Sequence, residues 1–399
     1  MQNVVGVVAE YNPFHNGHAL HLAETRAKLG SDAGVVAVMS GDFVQRGENA
    51  IYSKFARAEA AVRCGCDLVI ELPLPWSLAS AEGFARGAVG LLGALGVVTH
   101  LSFGSESGDL LPLETLAQAL LSPAFSNNLK EALQTGCSFA AARQAAVEKQ
   151  VGPLAQLLSS PNNILAVEYI KAIYDLRLSI RPMTIRREGA QHDGDGSETI
   201  RAASEIRTRI ESGKDITAFI PAEAAEVYAK EQELGRGPIP EAALETAILS
   251  RLRMLGPAVY GALPGSEEGL GNALCKAANE EPTLSAVCAA AKSKRYALSR
   301  IRRMTMCAAL GVKQGMANGT PPYIRVLAAN DRGREILHLA ANKASVPIIT
   351  KPAAGRTASP EIARLMALTA ESHDLYVLGS PAAEERRAGN DWRHSPVML

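Results

Sequence analysis

Two histidines, His15 and His18, stand three residues apart just after a short β-branched apolar run, Val4 to Ala9. An imidazole can donate a hydrogen bond, carry a proton or ligate a metal. The context narrows that choice. Between the run and the histidines lies Glu10-Tyr11-Asn12-Pro13-Phe14, and a helix is predicted over Gly17 to Lys28 with Leu20, Leu22 and Ala23 facing inward. The pair therefore sits at a helix N-terminus, where unpaired N–H groups and partial positive charge suit phosphate. Gly17 lets a nucleotide approach the backbone without a Cβ in the way. Two imidazole donors placed there would stabilise the charge that builds on an α-phosphate as pyrophosphate departs. Metal ligation by His15, His18 and His21 is the competing chemistry. The sequence offers no obvious carboxylate or cysteine partner to complete such a set, and no metal site is expected.

Holding that loop takes a sheet. Buried strands are predicted over Val4 to Ala9, Val35 to Met39, Asp67 to Leu72 and Val97 to Phe103, and a fifth over Met183 to Arg187. Helices are expected between them, at Gly17 to Lys28, Ser53 to Arg63 with Ser53 as N-cap, and Ala79 to Leu95. That alternation implies right-handed crossovers and a parallel sheet, with ligands bound outside the strands' carboxyl ends. Leu113 to Tyr174 reads as mainly helical, Gly189 to Ser197 as a polar loop able to close over a nucleotide, and a helix begins near Ser204. Past Pro221, Glu245 to Leu255 and Thr283 to Leu310 read as helices, and Tyr323 to Ala329 and Pro347 to Lys351 as strands of a small α/β unit. The last fifteen residues, from Glu385, read as frayed. The expected fold class is α/β: a Rossmann-like domain with a parallel sheet over residues 1–218, then a mainly helical region over 219–399 that ends in the small α/β unit.

Composition sets outer limits. Lysine plus arginine total 41, matched by 41 acidic residues, which excludes a basic coat over the whole chain but not a local patch. Apolar residues at 47% exclude bulk disorder. Six cysteines without a C-x-x-C pair suit a reducing cytosol, so a cytoplasmic location is expected. Met1-Gln2-Asn3 carries no basic region of a signal peptide. The charge-free run between Arg86 and Glu106 is too rich in glycine for a membrane span and reads as a buried helix followed by a strand. No membrane partner is expected, and the oligomeric state is not legible.

The H-x-G-H placement, with Ala203-Ser204-Glu205-Ile206-Arg207 opening a later helix, resembles the two signatures of the HIGH-motif nucleotidyltransferase superfamily. Ser204 would cap that helix and help hold a phosphate, and Arg207 would sit one turn in. At finer grain EYNPFHNGH (10–18), SGDFVQRG (40–47), DLVIELP (67–73), FGSE (103–106), PNNIL (161–165), Ile185-Arg186-Arg187, His192-Asp193, EEGL (267–270) and KSKRYALSRIRR (292–303) together resemble the tRNA(Met) cytidine acetate ligase family. Asn49, where proline is expected, and Ala203-Ser204-Glu205, a variant of a more usual Ser-Ala-Thr run, are departures.

The resemblance implies a reaction: acetate and ATP form acetyl-adenylate, and the acetyl group passes to N4 of the wobble cytidine of elongator tRNA(Met). It implies that His15, His18, Ser204 and Arg207 carry catalysis. It also implies an ATP site formed by Val8, Ala9, Glu10, Tyr11, Asn12, Pro13, Phe14, His15, Asn16, Gly17, His18, Ala19, Leu20 and His21, with Gly104, Asn162, Arg186 and Arg187. Mg²⁺ is expected with ATP, held by phosphates and water more than by a protein cage. Lys54 and Arg57 are further phosphate candidates, and Tyr11 and Phe14 are candidate walls for acetate. An attacking carboxylate is already ionised at neutral pH and needs no general base.

Lys292, Lys294, Arg295, Arg300, Arg302 and Arg303 carry six positive charges with no acid among them, and Tyr296 is interleaved. Such a stretch fits phosphate tracking along tRNA, with an aromatic ring available to stack on a base. Two other classes stay open on the residues alone. One is an adenylyltransferase joining AMP to a phosphorylated metabolite, disfavoured by the ~180 residues beyond the first 218. The other is a non-catalytic nucleotide-dependent RNA-binding protein, disfavoured by the intact histidine pair.

Overall fold

A computed structural model describes residues 2–187 and 199–399. The first half builds most of a sheet by strand–helix alternation: β1 (Val4–Ala9), α1 (Asn16–Leu29), β2 (Gly34–Ser40), a hairpin of β3 (Phe43–Val44) and β4 (Glu48–Asn49), α2 (Lys54–Arg63), β5 (Leu68–Leu72), α3 (Leu74–Ser77), α4 (Ala81–Ala94) and β6 (His100–Ser105). Helices α5 (Leu110–Leu121), α6 (Pro123–Leu133), α7 (Phe139–Val151) and α8 (Pro161–Asp175) lead to β7 (Arg181–Arg186) and α9 (Ala203–Glu211). Then come α10 (Ala222–Glu233), α11 (Glu241–Arg253), α12 (Pro257–Gly261), α13 (Leu270–Glu280), α14 (Leu284–Ala291) and α15 (Leu298–Leu310). The chain closes with β8 (Ile324–Ala329), α16 (Asp331–Ala340), β9 (Ile348–Ile349), α17 (Pro360–Tyr376) and β10 (Val397–Met398).

The sheet order is β10-β8-β5-β2-β1-β6-β7, with β9 also on β8. Every pairing is parallel except β5 with β8. β1 pairs β2 from Val4↔Gly34 to Ala9↔Met39. All seven residues of β2 are buried, as a strand covered on both faces requires. Its two faces feed different cores: Val36 and Val38 join Phe84, Val89 and Leu92 of α4, whereas Val35, Ala37 and Met39 join Phe14, Leu22 and Ala58. A third core lies among α11, α13, α14, α15 and α17, around Leu244, Leu274, Val287 and Met304. Among the described residues no helix is long and apolar enough to cross a membrane.

Four expectations change. The small α/β unit is not a separate sheet: β8 lies antiparallel beside β5, and all six of its residues are buried. The physical reason is that an open β5 edge would leave backbone donors and acceptors unpaired, and IRVLAA covers them. The polar tail is not frayed, since β10 pairs with β8 and Asp391 is buried. Asp391 is spent inside the protein on Lys54 and Arg325, so polar composition misleads there. Thr283 to Leu310 is two helices broken at Lys292–Ala297; Lys292, Lys294 and Arg295 repel one another and offer no apolar side chain to bury. The fourth and fifth strands run one to three residues from their expected bounds. The loop 189–197, with His192 and Asp193, lies outside the described residues.

Candidate active site

β1 delivers the histidine loop to the carboxyl edge of the sheet, and backbone geometry turns it there. Tyr11 adopts a positive φ of 48°. Packing holds the turn from below: Tyr11 and Phe14 are buried, with ring centroids 4.8 and 5.5 Å from that of His18. The Phe14 N–H donates to the Tyr228 hydroxyl of α10 at 2.9 Å, so the second half of the chain supports the loop.

His15 is the N-cap of α1. Its Nδ1 accepts from the Gly17 N–H at 3.1 Å, while His18 Nδ1 accepts from the His15 N–H at 3.2 Å. These reciprocal bonds form a capping box made of two imidazoles, and the rings stack with centroids 3.7 Å apart. A ring nitrogen that accepts carries no proton. The pattern therefore assigns the proton of each neutral ring to Nε2, leaving two Nε2–H donors. Burial, helped by the Arg187 charge, lowers His15 to about 4. His18 is pushed well below its ordinary value by burial, then by His15 and Arg187. Both rings are thus neutral donors at neutral pH. His21, one turn on, is also lowered to about 4 by burial and Arg187. It shares a 3.0 Å hydrogen bond with Ser102 Oγ of β6. No acidic residue stands in the first turn of α1 to offset its positive end. Gly17 has a more local role than nucleotide access: a Cβ there would sit 3.0 Å from His15 Cε1 and press the capping ring aside.

The ends of β6, β7 and α8 make the facing wall. Glu106, after β6, accepts from the Asn162 and Asn163 N–H groups at 3.2 and 2.8 Å, capping α8 from outside that helix. Asn162 Nδ2 donates to Glu106 at 2.8 Å, and Asn162 Oδ1 accepts from Arg187 at 3.2 Å. The Arg187 side chain crosses Gly104, where a Cβ would lie 2.9 Å from its Cγ. That crossing explains the glycine. Of the two candidate arginines, Arg187 faces the histidines, whereas Arg186 covers Gly108.

α9 contributes Arg207, which donates to the Asn12 carbonyl at 3.0 Å and to Glu48 Oε2 at 3.1 Å. Ser204 is not the cap of this helix. Ala202 holds that position without a side-chain bond, and Ser204 is exposed in the first turn. Lys54 and Arg57 are corrections too. Lys54 is fully buried and paired with Glu71 at 2.8 Å and Asp391 at 2.5 Å. Arg57 spends its guanidinium on the carbonyls of Glu10, Ser40, Gly41 and Tyr52. Both hold the interior together, because charge buried this deeply must be matched on the spot.

The basic stretch divides. Lys292, Lys294, Arg295 and Tyr296 lie in the turn before α15, with both lysines exposed. On α15, Arg300 bonds Glu267 and the Gly265 carbonyl, Arg302 pairs with Glu48 at 2.7 Å, and Arg303 is half-buried. Sequence reasoning overlooked Glu48, Glu106 and Tyr228. Glu106 had a legible cue in FGSE beside PNNIL; the other two join elements far apart in the chain and left none.

The loop can offer two neutral N–H donors, a helix N-terminus and Arg187 to a polyphosphate. Neither thiol near the loop, Cys64 or Cys66, is an activated nucleophile, since burial pushes both up to about 12. The sequence pattern of the HIGH Nucleotidyl Transferase family matches residues 1–391. The tRNA(Met) cytidine acetate ligase of Acetivibrio thermocellus is 35% identical over 414 aligned residues, covering 99% of this chain and 100% of that protein. The enzyme of the same name from Alkaliphilus metalliredigens is 40% identical over 375 residues, 87% of each chain. Among solved structures, Thermotoga maritima TmcAL bound with alpha-thio ATP superposes with a TM-score of 0.93 at 34% identity, covering 100% of this chain and 99% of that one.

Proposed function

The chain belongs to the HIGH nucleotidyltransferase family, beside its tRNA(Met) cytidine acetate ligases, and on that premise we propose that it is an ATP-dependent ligase that acetylates N4 of the wobble cytidine of elongator tRNA(Met). In the first step an acetate oxygen attacks the α-phosphorus of ATP, the bond to the β-phosphate oxygen breaks, and pyrophosphate leaves. In the second, the cytidine N4 attacks the acetyl carbonyl, loses a proton, and AMP departs. The observation that carries this reading is the pair of hydrogen bonds that His15 Nδ1 and His18 Nδ1 accept, which leaves the proton of each ring on Nε2. Neutral Nε2–H donors from His15 and His18 bond phosphate oxygens without a proton having to be lost or gained as charge shifts onto them. Arg187, braced by Asn162, supplies positive charge from the facing wall. Arg207 donates to the loop carbonyl of Asn12, which supports a role for its guanidinium at the triphosphate end.

Mg²⁺ enters with ATP. Phosphates and water supply its ligands more than a protein cage does. Residues 1–218 serve ATP and acetate, and 219–399 serve tRNA, with the exposed Lys292 and Lys294 on its phosphates. A cytoplasmic location follows from that substrate.

The test uses purified protein with ATP, Mg²⁺ and radiolabelled acetate, with and without bulk bacterial tRNA. Stable label in tRNA, abolished by His18→Ala, is the expected result. No label in tRNA and no acetyl-adenylate without it would overturn the reading and favour a phosphorylated small molecule as acceptor.

A further inference from the structure

One carboxylate joins the basic helix to the loop that carries the histidines. The β3–β4 hairpin turns at Gln45-Arg46-Gly47, closed by the Gly47 N–H donating to the Val44 carbonyl at 2.9 Å. Gly47 has φ +76°, and a Cβ there would fall 2.5 Å from both the Arg302 carbonyl carbon and the Arg303 nitrogen. The turn is thus seated directly on the backbone of α15, and only glycine fits. The next residue, Glu48, gives Oε1 to Arg302 at 2.7 Å and Oε2 to Arg207 at 3.1 Å. Arg207 continues to the Asn12 carbonyl, three residues before His15. The same turn also reaches the loop from its other end, where Gln45 N–H donates to Glu10 at 2.9 Å. Arg302, Glu48, Arg207 and Asn12 therefore form one chain of charge-assisted bonds from α15 to the catalytic loop.

Two guanidiniums share this single carboxylate, and their side chains are 35% and 19% exposed against 17% for Glu48. A phosphate arriving at Arg302 draws on the charge that Glu48 otherwise holds, and the hold of Glu48 on Arg207 changes with it. We propose that Glu48 is a positioning residue that couples RNA contact on α15 to Arg207 and the histidine loop, so that ATP and tRNA bind with linked affinities. The proposal rests on the tRNA ligase reading above and adds to it a means by which the two substrates sense each other. Linkage is reciprocal, so the ATP site must alter tRNA affinity by the same factor that tRNA alters ATP affinity.

The experiment measures the Kd of a tRNA(Met) transcript with and without saturating α,β-methylene-ATP, for the wild type, Glu48→Gln and Arg302→Gln. The wild type is expected to show a shift of about fivefold or more. Glu48→Gln should bring the ratio to about one, whatever it does to either affinity alone. Arg302→Gln, on a more exposed position, should weaken tRNA binding and bring the ratio to about one as well. A residue that merely supported the fold would change both constants and leave their ratio. The same ratio in Glu48→Gln as in the wild type overturns the proposal. So does a wild type that makes acetyl-adenylate and binds tRNA with no shift, an outcome that leaves the ligase reading standing. A wild type that makes no acetyl-adenylate fails at the earlier reading instead.

Discussion

Replacing Asp391 by alanine should cost the protein a large share of its stability. Asp391 is 1% exposed and bonds Lys54 at 2.5 Å and Arg325 at 2.6 Å, and those two cations are 0% and 1% exposed. Glu71 meets the same pair at 2.8 and 3.1 Å. The cluster is two cations and two anions, neutral as a whole. Burial by itself would raise the Asp391 carboxyl, but Lys54 and Arg325 override it and hold it well below the usual carboxylate range. Alanine leaves a buried net charge of plus one, and breaking a buried pair from one side costs about 3–5 kcal/mol. Against a total of roughly 5–15 kcal/mol that is about a fifth or more. At the ~2 °C per kcal/mol expected of a large chain, Tm should fall by about 6–10 °C in a calorimetric scan. Lys54→Met combined with Asp391→Ala separates charge imbalance from lost packing. The double variant keeps the Arg325–Glu71 pair, restores neutrality, and should be more stable than Asp391→Ala alone, with a coupling of ~2 kcal/mol or more. A loss under ~1 kcal/mol for Asp391→Ala, or single effects that simply add, would refute it.

Three further outcomes are expected. His15 and His21 titrate at about 4 in the folded protein against 6.5 unfolded, so the unfolded chain binds more protons between those values. Their contribution is present above pH 6.5 and is lost as pH falls from 6.5 to about 4, up to ~3 kcal/mol for the buried His15; stability measured by urea unfolding across that window should drop, and acetate-dependent ATP–pyrophosphate exchange should show no histidine limb between pH 6 and 8. His18→Ala removes both a donor and half of the capping box, so exchange should fall ~100-fold or more while Tm shifts by only a few degrees. Lys292→Glu with Lys294→Glu should weaken tRNA binding and lower the slope of log K against log salt by about two, without changing exchange in the absence of RNA; an unchanged slope would remove these residues from the interface.

The chemistry of the histidine loop was legible because it is local. A β-branched strand, a turn and a helix start within eighteen residues are set by nearest neighbours, and His15 and His18 end at the helix N-terminus that their spacing implies. Strands β1, β2, β5, β6 and β7 were legible for the same reason, the clearest being the continuous apolar runs buried on both faces. Which arginine faces the histidines was not legible. Arg186 and Arg187 are adjacent on a strand, and only the direction of each side chain against Gly108 or Gly104 separates them. Charge was the least legible property. Lys54, Arg57 and Arg302 read from sequence as cations seeking phosphate, yet two of them lie in the interior and the third shares its charge with Glu48. A charge pairs with whatever the fold brings within about 4 Å, and Glu71, Asp391 and Glu48 come from segments 17 to 337 residues away. Local preference determined most of the strands and the loop that carries the histidines. Long-range closure of the sheet by β8 and β10 decided which charges remain available to a substrate, because burying a charge is favourable only when its counter-charge arrives with it.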